Sequence, residues 1–177
     1  MAHRQLYIAQ SVDGYIADEQ GGVDWLETFQ VEGEDYGYEE FYSRVGAIVL
    51  GATTYKQALG WGQWPYGATP AWVFTHQELR VPAGAEVHFA QGPVPEVVAD
   101  IERTTSENIW LVGGASLVNA FIDARQLDEL ILFVVPILLG RGVRLFQGTA
   151  GMSATLVDTM RYDTGLVELR YRLDPSA

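Results

Sequence analysis

Two short apolar runs, Ala47 to Leu50 and Ile109 to Val112, each end in glycine and pass at once into a helical pattern. A strand that feeds a helix through so short a turn comes back to its sheet as a parallel strand, so these two junctions commit the chain to an α/β architecture. Further strand-forming runs lie at Gln5 to Gln10, Ala71 to Phe74 and Glu86 to Phe89, with a longer one from Asp128 to Leu139. Helical spacing recurs from Asp35 to Val45, where Tyr38, Phe41, Tyr42 and Val45 fall at i, i+3, i+4 and i+7. It recurs again from Thr53 to Gly60, Pro95 to Arg103 and Ala115 to Ala124, with Thr53 and Thr54 as candidate caps. Pro136, inside the longest run, points to an edge strand or a bulge. Near the C-terminus Val167, Leu169, Tyr171 and Leu173 alternate with Glu168, Arg170 and Arg172, the pattern of a half-solvated hairpin. The expected fold is a three-layer α/β sandwich whose central sheet is mostly parallel, with an antiparallel C-terminal hairpin, in one domain over residues 1–177.

Charge and composition narrow the function. The net charge is −12, with 23 acids against 11 bases and Lys56 the single lysine. Such a field repels nucleic acid and anionic membrane, and neither is expected as a partner. An anionic small molecule would need dipoles or arginines placed locally. The chain has no cysteine, and its three histidines (His3, His76, His88) lie far apart, so neither a thiolate nucleophile nor a metal site is expected. The longest apolar run, Leu130 to Leu139, falls well short of the roughly 20 residues that span a bilayer, and the N-terminus has no signal-peptide layout. A cytoplasmic protein is expected. A homodimer is expected too, with the segment Leu130 to Leu139 at or near its interface.

The sharpest local signal is the junction Gly113-Gly114-Ala115-Ser116. Two glycines allow a tight turn and a close approach to the main chain, and the helix that follows offers unpaired N–H groups and a positive dipole end. Gly51-Ala52-Thr53-Thr54 repeats the arrangement. Each has a plainer reading, close helix packing for the glycines and ordinary capping for the threonines. As a pair they gain force, because parallel strands place both helix starts along one edge of the sheet, where α/β proteins bind nucleotides.

Six segments in order carry a family resemblance: Ser11-Val12-Asp13-Gly14-Tyr15-Ile16-Ala17, Val49 to Tyr55, Val73-Phe74-Thr75-His76, Leu111 to Leu117, Leu127 to Leu130, and Val135 to Gly142. The chain resembles the dihydrofolate reductase-like superfamily. It is most similar to the reductase domain of the bifunctional deaminase-reductase of riboflavin biosynthesis. The resemblance implies an NADPH-dependent reductase, with NADH as the alternative cofactor, that passes hydride to a C=N or C=O carbon of a small heterocyclic, pterin- or aminopyrimidine-like substrate. 5-Amino-6-(5-phosphoribosylamino)uracil is the family's example. Carried over by position, Gly113, Gly114, Ala115, Ser116 and Leu117 would cradle the pyrophosphate, Gly51, Ala52, Thr53 and Thr54 would flank it, and Thr75 and His76 would border the adenosine. Ala9, Asp13, Gly14 and Ile16 would sit beside the nicotinamide, with residues 14–25 as a lid.

The resemblance also implies Asp13 and Asp35 as candidate catalytic carboxylates, with Glu34 and Asp24 competing for the place of Asp35. The plainer readings are a helix-start acid for Asp35 and a turn pair for Asp13-Gly14. Trp25, Tyr55 and Trp61 are the candidate substrate contacts, and Trp64 and Tyr66 could extend an aromatic wall; the tryptophans could equally pack a long loop. Three positions depart from the family pattern. Ala52 stands where relatives carry arginine, and Tyr7 and Tyr15 stand where the riboflavin enzymes tend to carry basic residues, which weakens the case for a phosphate-bearing substrate. A second function stays open: a nucleotide-binding protein of the same fold without efficient reductase turnover.

Overall fold

A computed structural model describes residues 2–148 and 151–174. Strands β1 (Arg4–Ser11), β3 (Val45–Gly51), β4 (Ala71–Phe74), β5 (Val87–Ala90), β6 (Asn108–Gly113) and β7 (Glu129–Val135) run parallel; β9 (Ala154–Arg161) and β10 (Val167–Leu173) form an antiparallel hairpin. Together they make one eight-stranded sheet in the order β5-β4-β3-β6-β1-β7-β10-β9. Two short strands, β2 (Tyr15–Ala17) and β8 (Val143–Arg144), pair separately beside it.

The strand order decides where the helices go. The chain moves from β1 to β3 through α1 (Tyr38–Tyr42) and from β3 to β4 through α2 (Ala52–Gly60), both toward the β5 edge. It moves the other way from β5 to β6 through α3 (Val94–Glu102) and from β6 to β7 through α4 (Ala115–Asp123). Right-handed crossovers in opposite directions put their helices on opposite faces. Accordingly Tyr38, Phe41, Tyr55 and Ala58 pack with Ile48, Leu50 and Trp110 on one face, while Val98, Ile101, Val118 and Phe121 pack with Ala47, Val49 and Leu111 on the other. Burial of this kind dominates the stability; truncating a fully buried ring such as Phe121 to alanine costs about 3–5 kcal/mol.

Three local expectations change. The helix expected from Asp35 to Val45 is reduced to Tyr38–Tyr42, because Gly37 takes φ 75° and Val45 already belongs to β3. The helix-like spacing is nonetheless real packing, since Tyr38, Phe41 and Tyr42 all meet the Trp110 ring edge-on. Pro136 marks neither an edge nor a bulge: β7 ends at Val135 and lies between β1 and β10. The run from Leu130 is therefore largely core, with Leu130, Ile131, Leu132, Phe133 and Val135 buried and Leu138 exposed, so most of it is not available to a second protomer. Nor is the hairpin evenly half-solvated, because every residue of its outer strand β9 is exposed. No helix among the described residues is long and apolar enough to cross a membrane.

Candidate functional site

The reversal of direction lies between β3 and β6, and there a cleft of about 690 Å³ opens at the C-terminal ends of the strands. Open α/β sheets bind ligands at such a switch point because the two adjoining crossovers leave on opposite faces and cannot fill the gap between them. Gly51 ends β3 and is the N-cap of α2; Gly114 follows β6 and is the N-cap of α4. Neither helix start receives a side-chain cap, so Thr53 and Thr54 do not play that role but lie in the first turn of α2. The backbone at Gly114 favours glycine. Its φ is 99°, and a Cβ there would lie 3.4 Å from Thr54 Oγ1 and 3.8 Å from Gly51 Cα.

The segment expected as a lid borders the cleft through Ile16, Ala17, Gly21 and Val23. The Asp18 carboxylate accepts the Gln20 and Gly22 amides at 2.8 and 2.7 Å, folding residues 18–22 into a self-bonded turn. Gln57 Nε2, from α2, donates to Gly21 O at 2.7 Å and ties that turn to the helix. Opposite, buried Asn119 of α4 donates to Leu145 O at 2.8 Å and accepts the Gln147 amide at 2.9 Å, fixing the segment that carries Gln147 to the cleft.

Ala9, Ile16, Gly51, Ala52, Thr53, Thr54, Gly113, Gly114, Ala115, Ser116, Leu117 and Trp61 all line this one cleft. The other candidates lie elsewhere. Gly14 O accepts the Leu145 amide at 3.0 Å, which ties that glycine to the segment that carries Gln147. Thr75 is buried at the end of β4, where its Oγ1 accepts the Gln77 amide, and His76 is exposed next to it. Tyr55 is wholly buried and donates to Arg80 O at 2.7 Å, so its ring belongs to the core. Trp25 packs on the cluster around Phe133, and its neighbours Val23 and Leu26 line the cleft instead.

Neither candidate carboxylate reaches the cleft. Asp35 accepts the Gly37 and Glu39 amides at 3.0 and 2.9 Å, and these bonds hold its pKa below the ordinary value. Asp13 accepts Ser11 Oγ at 2.6 Å, the Leu139 amide at 3.1 Å and the Gly140 amide at 2.7 Å. The Ser11 bond is the main cause of its lowered pKa, with the backbone amides adding to it. Both acids stay ionised at neutral pH and serve as staples of local structure. Gln57, Leu26 and Gln147 were not singled out from sequence. Gln57 had a signal: it falls one turn after Thr53 and one turn before Trp61, completing a stripe on one face of α2.

The profile of the RibD C-terminal domain matches residues 3–167. The chain belongs to the RibD C-terminal domain family. A relative within reach of ordinary alignment, the uncharacterized protein YwjB of Bacillus subtilis (strain 168), is 39% identical over 143 residues, covering 80% of this chain and 81% of that protein. YyaP of the same organism, also uncharacterized, is 27% identical over 94% of the chain and 92% of its own length. Among solved structures, a protein of Shewanella sp. PV-4 described as a candidate riboflavin biosynthesis protein superposes with a TM-score of 0.86 at 29% identity, over 98% of this chain and 99% of that one. A diaminohydroxyphosphoribosylaminopyrimidine deaminase/5-amino-6-(5-phosphoribosylamino)uracil reductase of Thermotoga maritima gives a TM-score of 0.74 at 18% identity; this chain spans 57% of it, and the likeness is one of fold. The RibD C-terminal domain seen here therefore has a reductase-like architecture, with its own residues at positions 7, 15 and 52. Tyr7 stacks on Phe41 with ring centroids 4.4 Å apart, and Tyr15 is buried under the Arg144 guanidinium, so both are committed to packing.

Proposed function

We propose that this protein is a reductase that binds NADPH, or NADH in its place, in the cleft between β3 and β6 and passes hydride to a C=N or C=O carbon of a small heterocyclic acceptor. The observation that carries the reading is the meeting of two uncapped helix starts, at Gly51 and Gly114, in one cleft. Their N–H groups and dipoles suit a pyrophosphate, which the protein's overall charge would otherwise repel. Ala9 and Ile16 would then stand beside the nicotinamide, and Thr75 and His76 beyond the adenosine side. A bound NADPH or NADH would supply the hydride, becoming NADP⁺ or NAD⁺, and the acceptor would take that hydride at carbon and a proton at its nitrogen or oxygen. With Asp13 and Asp35 outside the cleft, solvent water would supply that proton. This chain's residues would orient the two rings and close the lid over them.

The same two placements favour a second reading, nucleotide binding without efficient turnover. The two readings separate in one pair of measurements. NADPH at a hundred times its Kd adds about 2.7 kcal/mol to stability by mass action and raises Tm under either reading. Loss of NADPH absorbance with pterin and pyrimidine acceptors occurs only under the first. No Tm shift with millimolar NADPH or NADH would overturn both. A cytoplasmic homodimer is part of this proposal, and light scattering at a monomer mass across micromolar concentrations would reject the dimer.

A further inference from the structure

The cleft is electrically uneven along its length. Thr53, Gln57 and Trp61, at successive turns, run along it on one stripe of α2. At the first turn the positive ends of α2 and α4 converge. Trp61 follows the last residue of α2, about 14 Å further on at 1.5 Å per residue, beside the negative end of the same helix. Trp61 is 60% exposed, so part of its side chain is open to a ligand. Ile16, Val23, Leu26 and Tyr66 supply further apolar and aromatic walls of the same cleft.

Among the described residues no Asp, Glu, Lys, Arg or His lines any part of this cleft, although Asp, Glu, Lys and Arg make up 19% of the chain. Three charged groups on adjoining segments are engaged elsewhere, and Asp24 and Glu27, beside Val23 and Leu26, are exposed to solvent. Asp18 holds the lid's own amides, Lys56 donates to Gln77 at 2.6 Å, and the Arg144 guanidinium lies 4.7 Å from the Tyr15 ring centroid. Burial pushes the Tyr66 phenol well above its ordinary value, so it too is neutral.

We propose that the acceptor end of the cleft, at Trp61, takes an uncharged planar heteroaromatic ring and rejects acceptors that carry a phosphate or carboxylate. The inference rests on the reductase reading. The cofactor's own phosphates take the two helix starts, and an anionic acceptor then finds apolar walls, no cation and a helix's negative end. It would lose part of its hydration there without a charged partner to replace it, inside a protein that already repels anions. A neutral ring loses little on entry and stacks on Trp61.

Pterin and pterin-6-carboxylate differ by one carboxylate, and both fluoresce. Their dissociation constants are measured at fixed ionic strength, with and without saturating NADP⁺. The wild-type protein is expected to bind pterin at least tenfold more tightly than its carboxylate. Trp61→Ala should weaken pterin at least tenfold while the Tm shift with NADP⁺ is kept. Leu26→Arg should narrow or reverse the preference. Equal or tighter binding of the carboxylate, no measurable binding of pterin, or an unchanged ratio in a folded Leu26→Arg protein would overturn the proposal. Absence of an NADP⁺ shift counts against the reductase reading instead, and the ratio measured without cofactor still decides the specificity.

Discussion

A Cβ on Gly114 would lie 3.8 Å from the Cα of Gly51, so the starts of two helices on opposite faces of the sheet meet backbone to backbone. At φ 99° any other residue is strained, by about 1–3 kcal/mol. Gly114→Ala should lose about that much stability. Gly114→Asp should lose a similar amount and, in addition, all Tm response to NADPH, because its carboxylate sits where the pyrophosphate should. Thermal melts with and without NADPH check this; a folded Gly114→Asp protein that responds normally would place the cofactor elsewhere.

The Gln57–Gly21 bond is the lid's tie to α2. One such bond contributes about 0.5–1.5 kcal/mol net. Gln57→Ala should therefore speed amide exchange in residues 18–25 by roughly two- to tenfold with little change in global Tm. Unchanged exchange would mean that the turn built on Asp18 holds the lid by itself.

Ala52 lines the cleft at the first turn of α2, while Lys56, one turn on, is held by Gln77. A guanidinium at position 52 could pair with a 2′-phosphate, a contact worth about 1.5–3 kcal/mol. Ala52→Arg is expected to raise the preference for NADPH over NADH by about one to two powers of ten, read as the ratio of dissociation constants at fixed ionic strength. An unchanged ratio, or a wild-type preference already above about a thousandfold, would show that another residue reads the phosphate.

Arg4 and Asp128 join the starts of β1 and β7. The guanidinium donates twice to the carboxylate, at 2.8 and 2.7 Å, and the Arg4 amide donates a third bond at 2.9 Å. Burial alone would raise the Asp128 pKa, but the Arg4 hydrogen bonds and charge outweigh it and the pKa is lowered. A carboxyl held lower in the folded state than in the unfolded one stabilises above its unfolded pKa, about 3.9, and that stability fades as pH falls through the folded value. Asp128→Asn should cost about 1–3 kcal/mol at pH 7, and the difference from wild type should shrink below about pH 4. A gap that is flat from about pH 7 to pH 3 would reject the assignment.

Both βα junctions are legible in sequence because each is local: an apolar run, a glycine that frees the turn and a helix start lie within a few residues. Their convergence follows from parallel strands and needs no further information. What Asp35, Tyr55 and Trp25 face could not be read in the same way. Asp35 became a cap because Gly37 turns the chain before the helix, Tyr55 points inward because Trp64 and Phe89 meet its ring, and Trp25 was drawn onto the Phe133 cluster. The run from Leu130 is spent inside the protomer for a related reason: the C-terminal hairpin joins the sheet beside β7 and makes a middle strand of what alone reads as an edge. The sequence by itself determined the α/β class and the two glycine turns, because turn chemistry and strand periodicity are properties of neighbours along the chain. Only the tertiary structure decided that, among the described residues, no Asp, Glu, Lys, Arg or His walls the cleft between those turns, since that depends on which side of each element faces the gap and on where segments distant in sequence come to rest.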